Sequence, residues 1–62
     1  MRIKMFHKEA LLEEVVCEEV EFTADKLNVV MNGLSDYVAV RKNGDWKCLN
    51  SDFPITRFEI GK

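Results

Sequence analysis

Thr23-Ala24-Asp25-Lys26-Leu27-Asn28-Val29-Val30-Met31-Asn32-Gly33-Leu34 is the stretch whose conformation decides the fold. Read with a helical period, Leu27, Val30, Met31 and Leu34 fall at i, i+3, i+4 and i+7 and make one apolar face. Thr23 stands where an N-cap is wanted, and Asp25 complements the positive end of the helix dipole. Gly33 stands where a left-handed residue ends a helix, with Leu34 placed for the accompanying apolar contact. The rival is a strand over Leu27–Met31, which also alternates. The helix has a signal at each end and the strand has neither, so the spacing predicts a helix from Ala24 to Asn32.

Outward from that stretch, residues 36–50 read as a β-hairpin around Asn43-Gly44. A two-residue turn pairs Val40 with Lys47 and Arg41 with Trp46, which mixes apolar and charged residues on each face. A three-residue loop, Lys42-Asn43-Gly44, pairs Val40 with Trp46, Val38 with Cys48 and Arg41 with Asp45. Burial and charge both favour the second register. Residues 50–54 form a loop, and Pro54 belongs at the mouth of a last strand over Ile55–Ile60.

On the N-terminal side, Arg2–His7 alternates apolar and polar residues as a half-buried strand does. A turn is expected near Lys8–Leu11. Residues 14–22 are rich in β-branched side chains and read as a strand, although Leu11, Leu12, Val15, Val16 and Val20 also fit a helical stripe. The whole is expected to be an α+β domain of about five strands, ordered β-β-α-β-β-β, with one helix across an antiparallel sheet. A small all-β barrel is the alternative if Leu27–Met31 is a strand. The expected core is Ile3, Met5, Leu27, Met31, Val38, Val40, Trp46, Cys48, Phe58 and Ile60.

Size limits what such a domain does. Sixty-two residues make a single domain, 1–62, which buries only about 60% of its unfolded surface. A deep active site would compete with the core for the same few apolar side chains. The hydrophobic fraction is 47%, the charged fraction 32% and the net charge −2, a globular balance rather than a disordered one. No uncharged run approaches the roughly 20 residues that a membrane helix needs. The first residues hold no apolar segment of signal-peptide length. Cys17 and Cys48 lack CxxC spacing and read as reduced, buried thiols. The expected setting is the cytoplasm.

Candidate chemistry is sparse. The only histidine, His7, would have to converge with Cys17, Cys48 and a carboxylate to hold zinc, and no usual metal-ligand spacing is present. The three glycines are far apart, so no phosphate-cradling loop exists. No catalytic group, cofactor or metal is expected, and the chain reads as a non-enzyme.

Charge is the more informative pattern. Residues 9–21 hold Glu9, Glu13, Glu14, Glu18, Glu19 and Glu21 without a single base, and are preceded by Arg2, Lys4 and Lys8. Glu13, Glu14, Glu18, Glu19 and Glu21 are therefore the candidate acidic face for a basic protein partner. The plainer reading is that Arg2, Lys4 and Lys8 neutralise the belt within the fold. Tyr37, Arg41, Lys42 and Lys47 on the hairpin are the alternative candidates, for nucleic-acid contact. Their basic excess is small, and Trp46 beside them is assigned to the core.

The expected function is that of a small protein-binding regulator or inhibitor using an acidic surface or an exposed sheet edge. Chains this short and plain include accessory proteins of phages and mobile elements. Nucleic-acid binding ranks second, and a role only as a homo-oligomer or as part of a larger enzyme ranks third. Two free sheet edges also make a homodimer plausible.

Overall fold

The computed structural model describes residues 1–62 and contains no helix. Eight strands follow in order: β1 (Arg2–His7), β2 (Ala10–Val16), β3 (Glu19–Phe22), β4 (Lys26–Met31), β5 (Leu34–Lys42), β6 (Asp45–Cys48), β7 (Pro54–Ile55) and β8 (Arg57–Gly61). They form a three-stranded antiparallel sheet, β2-β1-β8, and a five-stranded one, β3-β4-β5-β6-β7, that curls into a half-barrel. The expected α+β fold is thereby corrected to an all-β one. No helix in the chain is long and apolar enough to cross a membrane.

The helix expected over 24–32 is the strand β4. Leu27 and Val29 are fully buried, whereas Lys26 is exposed and Asn28 and Val30 are half-buried, a period of two. Both signals that favoured the helix are used by turns instead. Thr23 Oγ1 does accept the Lys26 N–H, at 3.1 Å, as an N-cap would. However, the Thr23 N–H also donates to the Lys26 carbonyl, at 2.8 Å, and closes a turn between two strands. Asn32 and Gly33 both have positive φ, 53° and 76°, the conformation of a two-residue hairpin turn rather than of a helix end. Met31 and Leu34, on the supposed helical face, are exposed at this tip.

The hairpin register is also corrected. Asn43 and Gly44 have φ of 53° and 84° and form a two-residue turn that pairs Lys42 with Asp45, Arg41 with Trp46, Val40 with Lys47 and Ala39 with Cys48. The apparent mixing of faces is resolved by position. Ala39 and Cys48 lie deep in the core, while Arg41 sits near the open end and is exposed. Val40 and Lys47 share the outer face, each half-buried.

Two bends join the sheets. At the first, Met1 and Cys17 exchange backbone bonds of 2.7 and 2.9 Å, and the next N–H, of Glu18, donates to Val30 O at 2.7 Å. The single strand expected over 14–22 is thus two, β2 paired with β1 and β3 paired with β4. Ala10 and Leu11, placed in a turn by the sequence, already belong to β2, and an extra residue at Leu12 bulges it. The second bend divides the strand expected over 55–60. Ile55 pairs with Trp46 of β6, Thr56 N–H donates to Phe6 O at 2.8 Å, and Arg57–Gly61 then follow β1.

The core lies between the sheets. Ile3, Met5, Leu27, Val29 and Ala39 are fully buried, with Cys17, Cys48 and Ile55 nearly so. Of the expected core, Val38, Val40, Trp46 and Phe58 are half-buried, and Met31 and Ile60 are exposed. Ile60 lies on β8, which has no neighbour beyond it. Phe22, Trp46 and Phe58 meet edge to face at centroid distances of 5.3–6.1 Å and link β3 and β6 to β8, a favourable aromatic geometry.

Leu27 and Leu34 distinguish strand from helix directly, because a helix sets them on one face and this fold separates them. Leu27→Ala is expected to cost roughly 2–5 kcal/mol in urea denaturation. Leu34→Ala, at a side chain 75% exposed, is expected to change stability by less than about 0.5 kcal/mol. Comparable losses at both positions would contradict the strand.

Candidate protein-docking groove

The bend at Cys17 distributes the glutamates among different surroundings. Glu13 is half-buried opposite Met5, and Glu14 lies on the other face of β2, where Arg2 Nε meets its carboxylate at 3.0 Å. Lys4 stands in register between Glu14 and Glu59. Neutralisation of the belt by the first strand is therefore realised for Glu14. Glu18 accepts the Gly33 N–H at 3.3 Å and tethers the β4–β5 turn to the bend.

Glu19 and Glu21 are different. They point outward from β3, are exposed, and form no ion pair or side-chain hydrogen bond. β3 pairs on one side only, with β4. An open groove of about 380 Å³ lies over the outer face of β3, β4 and β5, lined by Met1, Glu19, Val20, Glu21, Asn28, Val30 and Ser35. Cross-strand register explains the lining: Glu19 stands opposite Val30 and Val30 opposite Ser35, while Glu21 stands opposite Asn28. The helix expected over 24–32 hides Asn28 and Val30, and the alternation of residues 26–31 is the signal that exposes them; Ser35 joins them only through the pairing of β4 with β5.

The five glutamates singled out in the sequence are thus not one face. Only Glu19 and Glu21 combine free charge, a groove and an unpaired strand edge. That combination suits an extended chain carrying basic side chains, which main-chain pairing would hold and carboxylates would orient.

The alternative hairpin residues divide as well. Lys42 and Lys47 point to the outer face of the five-stranded sheet and Tyr37 joins them there, while Arg41 points the other way. Lys26, not singled out from the sequence, lies on that outer face with its ammonium 5.0 Å from the Tyr37 ring centroid.

Redox and metal chemistry have little to build on. Cys17 and Cys48 are free and buried, and Cys48 Sγ lies 3.8 Å from Met5 Sδ. Burial pushes the Cys48 thiol above its ordinary value, and the nearby Glu13 carboxylate adds to the shift. His7 Nδ1 is 2.8 Å from Pro54 O, with its ring 5.2 Å from that of Phe53. No three His, Cys, Asp or Glu side chains gather closely enough to hold a metal ion.

Comparison with protein families, curated proteins and solved structures found no match to this chain.

The raised Cys48 pKa has a definite sign. Stability from keeping this thiol neutral is full below its ordinary ionisation range and is lost as pH rises through the raised value. In a Cys17→Ala variant at mildly alkaline pH, Cys48 is expected to react with an aromatic disulfide far more slowly in the folded protein than in urea. Equal rates in the two states would show that the thiol is neither buried nor raised.

Proposed function

We propose that this domain is a non-enzymatic protein-binding module, a regulator or inhibitor that acts by occupying another protein, and that it takes an extended basic segment along β3. The observation that carries this reading is an unpaired strand edge, β3, whose outer face opens into a groove flanked by two carboxylates without partners. Binding by strand addition draws its affinity from main-chain hydrogen bonds and its specificity from the side chains beside them. Glu19 and Glu21 supply charge selection and speed encounter with a basic partner. Val30 offers apolar contact, and Asn28 and Ser35 offer hydrogen bonds, to side chains that reach over the outer face. Two free, buried cysteines support a reducing, cytoplasmic setting for this role.

The other glutamates are controls within the same chain, because Glu14 is already paired with Arg2. With the protein as bait in extracts of its own host, wild type and Glu14→Gln are expected to capture the same protein, and capture should weaken at high salt. The double variant Glu19→Gln/Glu21→Gln is expected to retain the fold and lose at least tenfold of that capture. Unchanged capture by the double variant would remove β3 as the docking element.

A further inference from the structure

The outer face of the five-stranded sheet is electrically divided. Glu19 and Glu21 mark its β3 edge, and lysines stand on β4, β5 and β6. Register puts Lys26, Val40, Lys47 and Pro54 in one straight row across β4, β5, β6 and β7. The two lysines of that row stand two strands apart, about 10 Å, with only Val40 between them. Lys42 extends the same face towards the hairpin tip. None of the three lysines has a carboxylate within ion-pair distance. The acids close by are Asp45, opposite Lys42, Glu21, in the same cross-strand row as Tyr37, Asp25, next to Lys26 in the chain, and Asp36, which accepts the N–H of Tyr37 at 2.8 Å. Tyr37 is 41% exposed beside the row, under the Lys26 ammonium.

We propose that this lysine–tyrosine face is a second binding surface, distinct from the β3 groove, and that its ligand is single-stranded nucleic acid. Three ammonium groups without carboxylate partners are complementary to a chain of phosphates. Lysine acts there as a point charge and needs no fixed geometry. The convex outer face of a curled sheet offers no projecting element to enter a duplex groove, whereas an exposed aromatic ring on it accepts an unpaired base by stacking. The face lacks the planar guanidinium groups that read base edges in pairs, since Arg41 points away from it. Binding is therefore expected to be weak, dependent on salt and indifferent to sequence.

The test is fluorescence anisotropy of labelled oligothymidylate titrated with the full chain over a series of salt concentrations. Neutralising three phosphates on a single strand gives a slope of log K against log salt near −2. The triple variant Lys26→Gln/Lys42→Gln/Lys47→Gln is expected to lose at least tenfold in affinity at low salt and most of the slope. Tyr37→Ala is expected to weaken binding about fivefold or more without changing the slope. Glu19→Gln/Glu21→Gln should bind the oligonucleotide at least as well as wild type, so failure here and failure of the β3 reading are separable. The proposal is overturned by absence of binding at low salt, by a triple variant that binds like wild type, or by a Tyr37→Ala variant of undiminished affinity. Equal binding of a duplex of the same length would overturn the single-stranded assignment.

Discussion

The fold depends on one change of partner. Between Cys17 and Glu18 the backbone leaves β1 and joins β4 within a single residue, as hydrogen bonds to Met1 on one side and to Val30 on the other show. A domain this small cannot fill the space between two independent sheets. Bending one strand into both sheets lets few residues close the core. Cys17, at the bend, is itself buried, so the corner is packed as well as hydrogen-bonded. The bend at Thr56 repeats the device at the other end of the chain. The pairings then run in a ring, in which the N-terminal strand meets both the second and the last.

The same bend makes the acidic segment intelligible. Before it, Glu14 faces the cationic outer side of β1 and is neutralised there. At it, Glu18 holds a turn. After it, Glu19 and Glu21 stand on a different sheet, away from Arg2 and Lys4, with an open groove beside them. One run of like charge is thus divided into a structural part and a free part. The like-charge repulsion that such a run brings is relieved for the first part within the fold and remains for the second. This is why the functional reading narrows from five glutamates to two.

How far the sequence was legible follows from whether each signal is local. The alternation of Ile3 and Met5 found β1, and Asn43-Gly44 found the hairpin, because both are written in adjacent residues. Thr23 and Gly33 misled because a hydroxyl accepting an N–H three residues on, and a glycine with positive φ, serve a helix end and a tight turn equally. Only the partner strands decide between them, and those are distant in sequence. The hairpin register failed for a related reason. Pairing Trp46 with Arg41 looks unfavourable until the end of the sheet is known to be open to solvent. Nothing local announces the bend at Cys17 either, so the division of the glutamates and the lining of the groove were not readable in advance. Val29 and Ala39 stand outside the expected core because the helix and the three-residue loop turn them the other way, and Ile55 because one unbroken strand over 55–60 puts it on the face opposite Phe58, whereas the bend at Thr56 turns it inward.

The most direct test of this account is native-state hydrogen exchange at the bend, followed by NMR. The Cys17 and Glu18 amides, bonded to different sheets, are expected to exchange as slowly as the amides of central strand pairs, because opening either requires the two sheets to part. The Asn32 amide, in an exposed turn, supplies the fast reference. Protection of Cys17 and Glu18 close to the core value would support a single closed unit organised by the bend. Exchange as fast as at Asn32 would mean that the sheets part freely there, and the division of the acidic segment would lose its structural cause.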